Sequence, residues 1–300
     1  MRVFLFISRI CLCLFFLLSC QKEELTWQLS DTSVVSHEIA DSLQSQIRIA
    51  IIGDSISTFG DFSPSSTKGY DGVRYKSYYP RGDVRKVNNT WWYKVAESLG
   101  VDIDHVSNCS WSGSRVTGNS SSTMDASAGC SSRRITDLSY KGEPNLIICY
   151  ISCNDWASNV PLGNWSATDS IPKGGMISTM REAYALMIHK AKESYPESII
   201  ICLTNLDDTK RDKTSGWPSN NSKGISVEEW NRNIKEISSA LGCYTIDLQD
   251  AGINYFNVSS LTVDNGLHPN DKGMSLIANK VASEIKTIIC SINEGDGSSN

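Results

Sequence analysis

The sequence has few of the groups on which metal and cofactor chemistry is built. It has four histidines, at 37, 105, 189 and 268, and they lie far apart. No Cys/His spacing suggests a zinc site, so neither a metal nor a cofactor is expected. Seven cysteines follow Cys20, an odd number without regular spacing, which excludes a disulfide scaffold. Basic charge is not in excess: 28 Lys and Arg stand against 33 Asp and Glu, for a net charge of −5. That balance leaves no footprint for nucleic acid. Internal repeats are absent. The one long apolar stretch, ending in Ile10–Leu18, is too short and too broken for a membrane-spanning helix.

What is present is the composition of a globular protein: 40% hydrophobic and 20% charged residues in 300. That length suits one large domain or two small ones. Arg2 and Arg9 flank or interrupt the first apolar run, as in a signal peptide over residues 1–19. Leu17-Leu18-Ser19-Cys20 resembles a bacterial lipobox. The resemblance implies cleavage before Cys20, lipid on its sulfur and amine, and a membrane partner through that anchor. An ordinary secretory signal is the alternative. Gln21-Lys22-Glu23-Glu24 resembles the export tag of bacterial surface lipoproteins, so the expected location is the cell envelope, anchored at the outer membrane and surface-exposed if the tag is read. Residues 20–46 read as a polar tether, 47–292 as the folded domain and 293–300 as a polar tail.

From residue 47 the chain alternates strand and helix. Apolar β-branched runs predict strands at 47–53, 102–108, 145–152, 198–204 and 243–248. Helical stripes lie between them: Trp92, Val95, Ala96 and Leu99; Met176, Met180, Ala183, Tyr184, Met187, Ile188 and Ala191; Trp230, Ile234, Ile237 and Leu241; and Met274 to Ile288. These stripes read as core. The alternation predicts a parallel sheet with helices on both faces. Helix-to-strand connections are short. Strand-to-helix connections are long, at about 56–89, 109–130, 153–175 and 205–224. In a parallel sheet the latter all emerge at the carboxyl edge, where ligands bind. Long loops in a compact domain are usually functional.

Four segments fall on that edge: Gly53-Asp54-Ser55; Asn108-Cys109-Ser110-Trp111-Ser112-Gly113; Ser152-Cys153-Asn154-Asp155; and Asp264-Asn265-Gly266-Leu267-His268-Pro269-Asn270. A serine needs a base to take its proton before it becomes a useful nucleophile. Each motif is weak alone, but the four in this order resemble the SGNH/GDSL hydrolase family over residues 47–290. The resemblance implies a three-layer α/β/α flavodoxin-like sandwich around a mostly parallel five-stranded sheet. It implies Ser55 as nucleophile, His268 as base, and an oxyanion hole from the Ser55 and Gly113 backbone N–H groups and the Asn154 amide.

Two departures from the family pattern stand out. Ser152 occupies a glycine position. The family's aspartate lies three residues before the histidine, where this chain has Asn265, and Asp264 lies four before. Either Asp264 reaches His268 from a loop bulged at Gly266, or His268 works in a dyad held by Asn265 or a carbonyl. Asp54 reads as a turn-shaper, Asp155 as a structural hydrogen-bonder, and His105 and His189 as structural. Cys109 and Cys130 flank one loop and could pair in an oxidising compartment.

The loops carry aromatic and arginine side chains, among them Tyr70, Arg74, Tyr75, Trp111, Arg115, Trp156, Trp165 and Trp217. Trp111, Arg115, Trp156 and Trp165 are the candidate substrate contacts, since aromatic faces beside polar groups suit sugar rings. Tyr78-Tyr79-Pro80 reads as loop packing. The expected function is a serine esterase removing acyl groups, acetyl first, from carbohydrate or another small ester. A lipid or phospholipid esterase and an inactive glycan-binding lipoprotein are the alternatives.

Overall fold

The computed structural model describes residues 47–62, 77–124, 127–206, 220–254, 256–264 and 266–296. Strands β1 (Ile49–Gly53), β2 (Val106–Asn108), β3 (Gly118–Asn119), β4 (Leu146–Tyr150), β5 (Met176–Ile177), β6 (Ile199–Leu203) and β7 (Tyr244–Ile246) follow one another along the chain. The helices are α1 (Trp91–Ser98), α2 (Ser132–Thr136), α3 (Cys153–Ala157), α4 (Met180–Ser194), α5 (Val227–Ala240), α6 (Val258–Leu261) and α7 (Asp271–Asp296). Five strands form one all-parallel sheet in the order β2-β1-β4-β6-β7. β3 and β5 make a separate antiparallel pair.

Successive side chains of a strand point to opposite faces, so a strand buried on both sides is apolar throughout. In β1, Ile49 and Ile51 enter one core with Trp91, Trp92 and Val95 of α1 and Met274, Ile277 and Val281 of α7. Ala50 and Ile52 enter the other with Met180, Tyr184 and Met187 of α4 and Trp230, Ile234 and Ile237 of α5. The same alternation divides β4: Leu146, Ile148 and Tyr150 face the first layer, Ile147 and Cys149 the second. The architecture is therefore a three-layer α/β/α sandwich.

Helix starts follow their caps. The Thr90 hydroxyl accepts from the Tyr93 N–H at the head of α1, and the Ser226 hydroxyl accepts from the Glu229 N–H at the head of α5.

Three expectations are corrected. The second strand is confined to Val106–Asn108, because the Asp102 carboxylate accepts from the Asp104 N–H (2.8 Å) and turns Ile103–His105 into a 3-10 turn. Met176 is not core. It sits in β5, paired with Asn119, and is 74% exposed. The last helix runs to Asp296, into the segment read as polar tail.

The seven described cysteines are free thiols, Cys109 and Cys130 included. The Cys109 thiol donates to the Asp137 carbonyl at 3.0 Å. Cys20 and the signal, tether and export-tag segments lie outside the described residues, as does His37. His189 makes a contact of 3.3 Å with Glu193 one helical turn on.

Candidate active site

The site begins where β1 ends. A Cβ on Gly53 would lie 2.5 Å from the Ser110 hydroxyl and 2.7 Å from that of Ser57, so only glycine fits. The Gly53 carbonyl accepts from the Arg134 guanidinium (2.7 Å), the Trp111 N–H (3.1 Å) and the Ser114 hydroxyl (3.2 Å). Arg134 is fully buried, and burial lowers its guanidinium to about 10. The turn Ser55–Ser57 follows, capped by Asp54, whose carboxylate accepts from the Ile56 N–H at 3.0 Å. Asp54 also accepts from the Cys153 thiol at 2.9 Å. Burial raises its carboxyl, against the opposing pull of that thiol, the Ile56 N–H and nearby His268 and Arg134. Asp54 therefore shapes the turn. Asn108, at the end of β2, ties the same turn down by donating to the Ser57 carbonyl at 2.8 Å.

The loop before α7 brings His268 over Ser55. Nε2 lies 2.8 Å from Ser55 Oγ, and both residues are 6% exposed. Nδ1 contacts Asp264 Oδ2, and the His268 backbone N–H donates to Asp264 Oδ1 at 2.8 Å. Both oxygens of one carboxylate thus grip the same residue four positions on. Gly266 takes φ +129° within this loop; Asn265 lies outside the described residues. Burial raises the Asp264 carboxyl, but the His268 ring, its charge and backbone N–H, and the Tyr78 hydroxyl outweigh it. The net value falls below 3.8. With Asp264 ionised, the Nδ1 proton faces it and Nε2 is free to accept from Ser55.

The oxyanion candidates Gly113 and Asn154 lie in the segments that follow β2 and β4. Gly113 has φ +74°, a conformation L side chains avoid, and open space where a Cβ would stand. Asn154 lies in the first turn of α3, and its amide donates one hydrogen to the Ser114 carbonyl at 2.9 Å. Among the described residues the other amide hydrogen has no partner, which leaves it for a ligand. The next residue, Asp155, accepts from the Val116 and Thr117 N–H groups and the Thr117 hydroxyl. Burial raises its carboxyl to about 6 in spite of these bonds. Asn154 and Asp155 together hold the loop that presents Gly113.

Ser152, at the family's glycine position, adopts φ +119° and is fully buried. Its hydroxyl accepts from the Trp230 indole N–H at 3.1 Å. The strained conformation is held by its surroundings rather than avoided.

Residues 47–285 match the family model for GDSL-like Lipase/Acylhydrolase. The chain belongs to the GDSL-like lipase/acylhydrolase family. Members of this family are ester-hydrolysing enzymes. Crystal structures from Bacteroides ovatus and Bacteroides uniformis, each described as a GDSL-like lipase, are 24% identical to this family member. The first covers 81% of this chain and 100% of its own, with a TM-score of 0.54. The second covers 82% and 98%, with a TM-score of 0.55. These likenesses show the shared fold. Among curated proteins none matches.

The structure disperses most of the residues expected to contact substrate. Trp111, Trp156 and Trp165 are 3%, 4% and 5% exposed, so their rings are not offered to a sugar. Trp156 donates its indole N–H to the Ile225 carbonyl, and Trp156 and Trp165 belong to the second core. The physical reason is that long loops must bury apolar area of their own to stay ordered. Arg115 alone of the four is exposed. Tyr70, Arg74, Tyr75 and Trp217 lie outside the described residues.

The expectation for Tyr78-Tyr79-Pro80 divides. Tyr79 is buried loop packing, its hydroxyl donating to the Pro269 carbonyl at 2.6 Å. Tyr78 is on the site: its hydroxyl donates to Asp264 Oδ2 at 2.9 Å and its ring stacks on His268. No pattern in the sequence separates the two tyrosines. Arg134 was equally hidden, since nothing in the sequence separates it from adjacent Arg133, which pairs with Asp137 instead.

Proposed function

We propose that the protein is a serine esterase in which Ser55 is the nucleophile, His268 the general acid–base and Asp264 the group that orients His268. The observation that carries this is the 2.8 Å contact of His268 Nε2 with Ser55 Oγ, with Asp264 behind Nδ1. Ser55 Oγ attacks the ester carbonyl while its proton passes to His268 Nε2. The carbonyl oxygen becomes an oxyanion, for which the Ser55 N–H, the Gly113 N–H and the Asn154 amide are the proposed donors. Collapse breaks the ester C–O bond, and His268 gives its proton to the departing alcohol. Water then adds to the acyl-Ser55 carbonyl, its proton going to His268. A second collapse releases the acid and returns the proton to Ser55 Oγ.

The displaced aspartate was the ground for an inactive, glycan-binding reading, and the Asp264–His268 contact speaks for a working triad instead. For the substrate, we favour a short acyl group, acetyl first, on a hydroxyl-rich carrier such as a carbohydrate. The support is the polar character of groups on the loops at the carboxyl edge: Asn154, Tyr78 and exposed Arg81 and Arg115. We also propose that the domain is tethered to the bacterial envelope by lipid at Cys20, because the Leu-Leu-Ser-Cys segment precedes a polar stretch. A Cys20→Ala chain recovered in the soluble fraction, with no incorporation of labelled palmitate, would support the anchor.

The activity test is hydrolysis of p-nitrophenyl esters of increasing chain length, beside release of acetate from acetylated sugars. Turnover greatest at acetate, and lost in Ser55→Ala, is expected. Turnover confined to long chains would favour the lipid esterase. A wild-type chain that turns over no ester would overturn the reading.

A further inference from the structure

We propose that Tyr78 is a positioning residue for the triad, a reading that rests on the esterase mechanism above and deepens it. Three contacts converge on this one side chain and its backbone. The phenol donates to Asp264 Oδ2, the same oxygen that meets His268 Nδ1. The ring lies flat on the imidazole, with centroids 3.4 Å apart and planes 9° from parallel. The Tyr78 backbone N–H donates to the Thr58 hydroxyl at 2.8 Å, and that hydroxyl donates to the Ser55 carbonyl at 3.0 Å. Tyr78 is thus a strut between the two halves of the site: its backbone is tied to the serine turn, its side chain to the histidine and the carboxylate.

The segment itself is pinned. The Ser77 hydroxyl donates to the Gly60 carbonyl, and the Gly60 N–H donates to the Tyr79 carbonyl, each at 2.9 Å. Arg81 exchanges backbone hydrogen bonds with Val84, and its guanidinium lies 4.4 Å from the Tyr78 ring centroid. A strut anchored this way carries two constraints. The stacked ring restricts rotation of the imidazole out of the plane that serves both Ser55 and Asp264. The phenol occupies a lone pair of Oδ2, which aims the carboxylate. The phenol is suited to this, because partial burial and the Asp264 hydrogen bond and charge push it up to about 12, so it stays a donor. Preorganisation of this kind is realised in the rate of the chemical step, not in the binding of a small ester.

The test is steady-state kinetics of Tyr78→Phe and Tyr78→Ala on p-nitrophenyl acetate, paired with the rate at which a fluorophosphonate labels Ser55. Labelling forms a P–O bond at Ser55, expels fluoride and needs the same base. Tyr78→Phe keeps the stack and loses the hydrogen bond, and is expected to lower kcat about five-fold. Tyr78→Ala loses both and is expected to lower kcat about 30- to 100-fold. KM is expected to stay within about two-fold in each, and the labelling rate to fall in parallel with kcat. Should the alanine variant fail to fold, as judged by its thermal midpoint, the phenylalanine variant decides alone. Unchanged kcat and labelling in either folded variant would overturn the proposal, as would a raised KM with kcat intact, which would make Tyr78 a substrate contact. Failure of the wild-type chain to label at Ser55 would instead overturn the esterase mechanism beneath it.

Discussion

The two reactive partners are held in unlike ways. Ser55 sits at the end of a strand buried on both faces, in a turn fixed by the Asp54 cap, by Arg134 on the Gly53 carbonyl and by Asn108 on the Ser57 carbonyl. His268 sits in a loop whose nearest partner in sequence is Asp264. Its pose also depends on residues nearly two hundred positions away, with Tyr78 against the ring and Tyr79 on the Pro269 carbonyl. The serine side hangs on the end of a central core strand, with the Arg134, Ser114 and Asn108 side chains holding its carbonyls. The histidine side rests on a loop rather than on a strand end, and is therefore the easier to perturb by substitution.

Removing the nucleophile should have the largest effect. Ser55→Ala is expected to lower kcat on p-nitrophenyl acetate by about 10⁶-fold. The aspartate comes next. Asp264→Ala is expected to cost about 10³- to 10⁴-fold in kcat, less than the serine because Nε2 stays near Oγ while its orientation loosens. A loss equal to that of Ser55→Ala would mean that the two sides are not separable.

Gly53→Ala probes the rigid side without touching a reactive group. The added methyl has no room beside Ser110 and Ser57, so stability is expected to fall by about 1–3 kcal/mol in urea unfolding. No loss would show that this backbone gives after all. Ser152→Gly tests the strain stored beneath Asn154. It relieves φ +119° but leaves the buried Trp230 indole N–H without its acceptor, so the two effects offset and stability is expected to change by less than about 1 kcal/mol in urea unfolding.

The smallest effect is the pH dependence of the histidine side. The Asp264 carboxyl is lower in the folded chain than its ordinary 3.8, so its contribution to stability is present above that value. The contribution is lost as pH falls through the folded-state value. The stability difference between the wild type and Asp264→Asn should therefore be present at neutral pH and shrink on acidification. A difference that grows on acidification would reverse the sign and with it the account of Asp264.

Much of the fold was legible because buried parallel strands are continuous apolar runs and their helices carry capped stripes. The misreadings have local causes. Asp102 diverted the start of the second strand with one carboxylate. Met176 continued a helical stripe by coincidence of spacing and was claimed by a two-residue β pair. Among the site residues, Ser55, Asn154, Asp264 and His268 could be nominated from motifs because each lies beside a strand end or a helix start. Trp111, Trp156 and Trp165 were nominated on composition, and composition does not say which way a ring faces. Tyr78 and Tyr79 show the same limit from the other side, since adjacent identical residues serve different ends.

By itself the sequence determined the layer architecture, the edge on which the loops gather and the residue types gathered there. Those are consequences of periodicity and loop length, which are local along the chain. Only the tertiary structure decided whether Asp264 reaches His268, which aromatics are buried, and which tyrosine stands on the imidazole. The first turns on how one loop bends about Gly266, and the others are long-range contacts set by where separate loops meet above the sheet, which no spacing along the chain encodes.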